Sequence, residues 1–218
     1  MRGENSIYAK YVKRILDVIL SLLVMILFFW LYAIIAVLVL IKHGSPIIYK
    51  AKRPGRIDPK TGKERVFKLY KFRSMTNEKD ENGKLLPDSK RLTKFGRILR
   101  ATSLDELPEV FNILIGDMSF VGPRPLGLKY IPYYTDEERR RHNVRPGLTG
   151  LAQVRGRNNL SWEQKFSYDI EYVDKMSLAL DIRIIFETLI KVLKHEGIGQ
   201  GEERPVNLDI ERAGKKMR

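Results

Sequence analysis

The sequence predicts an α+β fold, predominantly helical and membrane-associated, and three observations carry that prediction. A long uncharged apolar run lies near the N-terminus. Strand-forming and helix-forming segments follow it without an internal repeat, and 218 residues suit one compact domain attached to that anchor. The expected organisation is a membrane anchor over 1–42, a compact domain with interfacial amphipathic helices over 43–197, and a polar C-terminal tail over 198–218.

The anchor comes first. Residues 15–41 read ILDVILSLLVMILFFWLYAIIAVLVLI, and Val18 to Ile41 is a stretch of 24 residues without a charge. As a helix rising about 1.5 Å per residue it would reach about 36 Å, and about 20 apolar residues suffice to cross a bilayer. The run is too long for a buried core helix, and no small-residue cleavage site follows it as in a signal peptide. Both flanks are basic: Lys10, Lys13 and Arg14 before, then Lys42, Lys50, Lys52, Arg53 and Arg56 after. A single span would leave one basic flank outside, against the positive-inside tendency, whereas a hairpin keeps both on the cytoplasmic side. A hairpin needs a break, however, and no Pro or Gly lies between Asp17 and Ile41. The aromatic group Phe28, Phe29, Trp30 and Tyr32 is the one candidate for a reversal, so the residues leave both geometries open.

Next, GSPIIYKAKRPGR reads as a short strand and a basic loop, with Gly44, Pro46, Pro54 and Gly55 as breaks. ERVFKLYKFRSM, residues 64–75, is rich in strand formers, and period two would put Lys71 and Arg73 on one face. Residues 76–90 form a polar loop. KRLTKFGRILR, 90–100, reads as one basic helix with Leu92, Phe95 and Leu99 on one side, suited either to anionic lipid or to an ordinary surface. Ser161 and Gln164 form a capping pattern ahead of another helix. The helix over 177–197 is too charged to span, and packs on the core or lies among headgroups. The last twenty residues are polar and expected to be poorly ordered.

Composition narrows the chemistry. A net charge of +14 and a pI near 9.9 favour anionic partners: nucleic acid, an acidic membrane surface or phosphorylated small molecules. The absence of cysteine excludes disulfides and thiolate metal sites, and His43, His142 and His195 are too scattered for a histidine metal cluster. GRIDPKTGK has the wrong spacing and ending for a phosphate-binding Walker loop. Gly-x-Gly-x-x-Gly, Asp-x-Asp and Gly-x-Ser-x-Gly do not occur.

What remains is SLDELPEVFNILIGDMSFVGPRP, residues 103–125, with two adjacent carboxylates in a strongly basic chain. Ser103 and Glu106 fit a capping box, an ordinary structural role. Counted from Ser103, Pro108 would cost a helical hydrogen bond, whereas an Asp105 cap places it harmlessly. Either way Asp105 stands at a helix start, where an anion is favoured. A carboxylate there can attack a phosphoryl group. Approaching one phosphate charge to about 4 Å costs about 4 kcal/mol at an effective dielectric of 20, so Mg²⁺ and arginines are needed nearby. Adjacent helical side chains diverge by about 100°, so Asp105 and Glu106 cannot share one task. Arg124, held between Pro123 and Pro125, is either an aimed guanidinium or part of a rigid loop. RPGLTGLAQVRGRNN offers Arg145, Arg155 and Arg157, as a phosphate loop or a generic basic loop would.

The order of motifs then matters: a basic-flanked apolar segment, KLYKFRSM, SLDELPEVFNIL, GDMSFVGPRP, VRPGLTGLAQVRGR and LALDIRIIF. This resembles the bacterial sugar transferase family, the monotopic phosphoglycosyl transferases, from about Lys13 to Gly197. The resemblance implies a catalytic domain at the cytoplasmic face of the bacterial inner membrane, among its anionic lipids. It implies transfer of a sugar-1-phosphate from a UDP-sugar to undecaprenyl phosphate with release of UMP, which begins glycoconjugate assembly. It implies Asp105 as nucleophile and Mg²⁺ ligand, Glu106 as second member of the dyad, and Mg²⁺ as cofactor. Lys71, Arg100 and Arg124 match phosphate or nucleotide contacts, and Asp181 an acidic site residue. Arg73, Arg145 and Arg157 complete the expected substrate-binding set. A second copy of the chain or glycosyltransferases of the same pathway complete the expected partners. The family's anchor is a reentrant helix broken by a Ser-Pro pair, where this chain has Phe29 and Trp30; with that precedent the basic flanks favour a hairpin. A membrane-tethered nucleic-acid binder and a non-catalytic scaffold both leave the ordered motifs unexplained, so no nucleic-acid partner is expected.

Overall fold

The computed structural model of the protein describes residues 3–156, 160–194 and 206–213. A π-helical turn, Tyr8–Val12, leads into the long helix α1, Lys13–His43. No break occurs at Phe28–Tyr32, so the reversal expected there is not seen. The physical reason is local: without Pro or Gly, nothing in the segment interrupts the i to i−4 ladder. Tyr8–His43 is long and apolar enough to cross a membrane.

α1 docks on the rest of the protein near both of its ends, while Ile26–Trp30 in its middle are exposed. Lys13, Asp17 and Ser21 are buried near its start, and Ile35 and Val39 near its end. The Arg14 guanidinium donates to the carbonyls of Ile113 and Leu114 at 2.6 and 2.7 Å, and the Tyr32 hydroxyl donates to that of Leu107 at 2.7 Å. Ile26, Phe29, Ile34, Val37 and Ile41 face outward and are exposed.

β1, Ile48–Ile57, and β2, Glu64–Phe72, pair antiparallel from Ile48↔Phe72 to Pro54↔Val66, with a register shift before Ile57. Pro54 and Gly55, expected to end the strand, instead lie inside it. A two-stranded ribbon is all edge, and the irregularity absorbs the missing donor. The expected single helix over 90–100 is two, α2, Asp88–Arg91, and α3, Lys94–Ala101. They part at Leu92–Thr93, where the Thr93 hydroxyl accepts from Gly96 N and caps α3. A 3₁₀ turn, Leu104–Glu106, then precedes α4, Glu109–Ile115.

β3, Ser119–Val121, and β4, Gly147–Thr149, pair parallel. A Cβ on Gly147 would meet Gly122 N at 2.1 Å, so glycine is required for the two chains to cross this closely. Between them lie α5, Asp136–Arg139, and a 3₁₀ turn, Arg140–Asn143. After β4 come α6, Leu151–Arg155, α7, Trp162–Lys175, and α8, Leu178–Leu193. The Ser161–Gln164 capping box of α7 forms in both directions, as the sequence predicts. Val121, Leu151, Tyr172 and Ile184 bring β3, α6, α7 and α8 into one core. α8 leaves Leu178, Ile182, Phe186 and Leu189 exposed.

The described part of the tail contradicts the expectation of poor order. α9, Leu208–Glu211, seats a fully buried Leu208 among Tyr130, Tyr134, Trp162 and Phe166. Trp162 Nε1 donates to the Val206 carbonyl at 2.8 Å, and Arg212 binds both Glu138 oxygens at 2.7 and 2.8 Å.

Candidate active site

Asp105 and Glu106 lie in the 3₁₀ turn, and their placement begins with Ser103. Its φ of 56° puts it in the left-handed region, its side chain caps nothing, and the chain bends sharply there from α3. The capping box expected of Ser103 and Glu106 therefore does not form. Pro108 is the cap of α4, where its missing N–H is no loss. Leu104 and Leu107 pack against Ile35, Val39, Phe72 and Leu99, so the turn rests on the anchor helix.

α4 then aligns β2 with the turn. Asn112 is fully buried; its Oδ1 accepts from Tyr70 N at 3.0 Å and its Nδ2 donates to the Lys68 carbonyl at 2.8 Å. This clamp fixes the outgoing strand so that Lys71 reaches Glu106, Nζ to Oε1 at 2.5 Å. Arg124, from the Gly122–Pro125 loop, binds the same oxygen at 2.5 Å. Arg124 is positioned in turn by Arg141, which is 2% exposed: Nη2 donates to the Arg124 carbonyl at 2.8 Å, while Nε donates to Asp169 at 2.9 Å.

The two carboxylates are thus sharply different. Burial alone would raise Glu106, but Arg124 and Lys71 overcome it and hold its carboxyl well below the usual carboxylate range. Asp105 has no hydrogen bond or ion pair among the described residues, although it is only 7% exposed. Burial dominates there and pushes its carboxyl up to about 6; Lys71, Arg100 and Arg124 pull it down and Glu106 pulls it up. The expectation that a helix start favours the Asp105 anion therefore fails, because α4 begins four residues later and the burial is unrelieved.

Asp105, Glu106, Lys71, Arg100 and Arg124 all line one cleft of about 1410 Å³, as do Leu20 and Val24 of α1 and Ile185 and Leu189 of α8. The Arg100 Nε donates to the Ser74 hydroxyl at 2.9 Å on the same wall. The site thus combines a cation-rich end with an apolar wall from the anchor.

Three expected site residues are engaged differently. Arg73, one residue past β2, borders the cleft, but its guanidinium points at the carbonyls of His43, Gly44 and Ser45, where it caps α1. Arg145 donates to the Gly116 carbonyl at 3.1 Å, at the C-terminus of α4. Both correct the expectation of phosphate contacts: a helix C-terminus attracts cations as a phosphate does. Asp181 is 4% exposed and pairs with Lys13, with hydroxyl donors from Tyr8 and Tyr172 at 2.5 and 2.8 Å; it locks α1 to α8 and does not line the cleft. Arg157 lies outside the described residues.

Sequence reasoning missed Glu109, Asn112 and Arg141. Glu109 is 2% exposed with Oε1 3.1 Å from Lys71 Nζ. The signal for these was the excess of polar residues on short helices that would otherwise be apolar inside.

For a metal, no group of three or more His, Cys, Asp or Glu lies together among the described residues. An all-protein cage is therefore absent there. Asp105, facing the cleft without a cation partner, fits the Mg²⁺ mode that uses one carboxylate and substrate phosphates.

Residues 8–195 match the bacterial sugar transferase family. The chain is 54% identical over 160 residues to an uncharacterized sugar transferase, EpsL, of Bacillus subtilis (strain 168), covering 73% of this chain and 76% of that one. It is 38% identical over 202 residues to a UDP-glucose:undecaprenyl-phosphate glucose-1-phosphate transferase of Klebsiella pneumoniae, covering 88% of this chain but 41% of the relative. It is 34% identical over 202 residues to the exopolysaccharide production protein ExoY of Sinorhizobium fredii (strain NBRC 101917 / NGR234), covering 85% of this chain and 87% of that one. The chain therefore spans most of EpsL and ExoY but under half of the Klebsiella enzyme. With the match running from the anchor through the carboxylate pair to α8, this chain is an enzyme that belongs to the bacterial sugar transferase family.

Proposed function

We propose that the protein transfers a sugar-1-phosphate from a UDP-sugar to undecaprenyl phosphate through an ester on Asp105. The observation that carries this is the unequal pair: Glu106 is saturated by Lys71 and Arg124, while Asp105 faces the cleft without a cation partner. An Asp105 oxygen attacks the phosphorus next to the sugar, the bond to the bridging oxygen breaks, and UMP leaves with that oxygen. An oxygen of the lipid phosphate then attacks the same phosphorus and the Asp105 carboxylate leaves unchanged. Arg124, Lys71 and Arg100 offset the donor's charge, which would otherwise repel the carboxylate. Mg²⁺, held by Asp105 and donor phosphate oxygens, would supply further neutralisation when bound. The names of the Klebsiella relative and of an undecaprenyl-phosphate galactose phosphotransferase of Salmonella typhimurium support the substrate classes. The apolar wall from α1 and α8 beside the cations suits an acceptor with a lipid tail and a phosphate head. Incubated with donor alone, the protein is expected to gain one sugar phosphate on Asp105, read by peptide mass spectrometry. Turnover with no such adduct would overturn the covalent route.

The seat of α1 supports a position on the cytoplasmic face, with both helix ends on one side. The helix is about 45 Å long, yet the body grips it at Lys13–Asp17 and again at Tyr32–His43. A perpendicular span would draw the attached polar body through the hydrocarbon, where its loops would lose their water. Lying lengthwise, α1 presents only its outer apolar face, continuous in character with the exposed residues of α8. The chain has no cysteine, so single Asn5→Cys and Ser45→Cys variants are clean labels. Both are expected to react with an impermeant maleimide from the cytoplasmic side only. Reaction of one from the opposite side would establish a span.

A further inference from the structure

Glu109 is a third carboxylate at the site, and the transfer reaction as described does not use it. It stands on the first turn of α4, 2% exposed, and its Oε1 has no hydrogen-bond partner. Lys71 Nζ lies 3.1 Å from that oxygen and 2.5 Å from Glu106, so one ammonium serves two acids. A small cavity of about 70 Å³ adjoins them, lined by Arg53, Lys71, Glu109 and Arg124 among others. The charged groups facing Glu109 are thus Lys71 from β2, Glu106 from the 3₁₀ turn, Arg124 from the loop after β3 and, across the cavity, Arg53 from β1.

We propose that Glu109 is a positioning carboxylate whose protonation frees Lys71 for an anionic diphosphate, so that donor binding takes up a proton at Glu109. The inference rests on the donor reading above. When Glu109 is ionised, it and Glu106 divide the ammonium, and an incoming phosphate must compete with both. When Glu109 is neutral, only Glu106 competes. A diphosphate arriving at Lys71 and Arg124 brings negative charge toward Glu109 and withdraws cation from it. Both changes favour the protonated acid. Burial already pushes this carboxyl up, to about 7, with Lys71 opposing and Glu106 adding to it, so the uptake falls within the physiological range. The opposite outcome, release of a proton, would require the donor to bring positive charge or water to Glu109. Glu106 cannot fill this role, because two cations keep it ionised.

The test counts protons on binding without chemistry. An Asp105→Asn protein removes both the nucleophile and its own titration. UDP-glucose and UDP-galactose serve as probes, since their diphosphate diesters have no group that titrates near neutrality. Calorimetry at pH 7, fixed Mg²⁺ and two buffers of different ionisation heat gives the net proton uptake. About half a proton is expected for Asp105→Asn, and affinity should weaken several-fold between pH 6 and pH 8. Adding Glu109→Gln should abolish the uptake and flatten the pH profile. Adding Glu109→Asp, which still titrates, should restore part of the uptake and guards against a folding defect in the Gln protein. Equal uptake with and without Glu109→Gln, or an unchanged pH slope, overturns the coupling. UMP release by the wild type is measured separately. Transfer without Glu109-dependent uptake sinks this inference alone, whereas failure of both UDP-sugars to bind sinks the donor site and the coupling with it.

Discussion

Asp105→Asn is expected to lower UMP release from a UDP-sugar by at least about a thousandfold while making the protein more stable at neutral pH. The first part follows from the proposed covalent route: among the described carboxylates of the site, Asp105 carries no ion pair, whereas Glu106 is bound by Lys71 and Arg124 and Glu109 is paired with Lys71. The second part follows from burial. Asp105 is raised from its ordinary value of 3.8 to about 6. The native state therefore holds more protons than the unfolded chain between about pH 4 and pH 6, and stability falls as pH rises through that window. Above it, the ionised side chain costs the fold up to about 3 kcal/mol, at about 1.4 kcal/mol per unit. Asn removes the charge but keeps a buried amide, so a gain of about 1–2 kcal/mol is a realistic expectation. Unfolding followed against pH without Mg²⁺ checks it. The variant should exceed the wild type at pH 7.5 and converge with it near pH 4. By the same sign, adduct formation in the wild type should decline below about pH 6, as Asp105 becomes protonated. A less stable Asn protein at pH 7.5 would mean that the carboxylate has a partner, and that its preparation for attack is wrongly described.

Much of this site was legible before any coordinates, and the misses share one cause. The acid pair stood out because charge beside like charge is unusual in a chain of net charge +14. Strand period put Lys71 on a face with Arg73, and the flanking prolines left Arg124 either aimed or merely rigid; the family resemblance singled out both. Arg73 and Arg145 were misread, since local spacing cannot tell a cation that meets phosphate from one that meets helix carbonyls. Arg73 lies one residue beyond β2 and borders the cleft, but its guanidinium is taken up by the carbonyls at the end of α1. Asp181 was misread for a similar reason: its partner Lys13 is 168 residues away. Glu109 and Asn112 looked like ordinary helical residues until β2 was laid across them by contacts spanning 38 to 44 residues in the chain. The unbroken anchor was legible in part, because the missing Pro and Gly had already argued against a reversal. Against them stood the charge of the flanks, which reports sidedness and not backbone shape, and the family's reentrant precedent, whose Ser-Pro break this chain lacks.

Arg141→Met is expected to destabilise the protein by about 3–5 kcal/mol and to abolish most turnover, although Arg141 touches neither carboxylate of the acid pair. Arg141 and Asp169 are each 2% exposed, and Nη2 lies 2.7 Å from Asp169 Oδ2. Removing the guanidinium leaves Asp169 buried without its ion-pair partner, and Tyr134 and Phe166 without the cation that lies over their rings at 5.8 and 5.7 Å. Burial already raises Asp169 against the pull of Arg141 and Lys165, so loss of Arg141, the larger of the two opposing causes, shifts Asp169 further toward its protonated form. A second change separates stability from function. In Arg141→Met with Asp169→Leu the whole pair becomes apolar at similar volume, which is often neutral or stabilising. The fold should then recover toward wild type. Turnover should not, because nothing holds the Arg124 carbonyl and the guanidinium that neutralises Glu106 loses its fixed base. Glu106, freed from one of its two cations, would compete with the donor for Lys71, and the loss should appear in KM as well as kcat. A double variant as active as the wild type would show that the two prolines alone position Arg124, and that the buried pair serves the fold and nothing else.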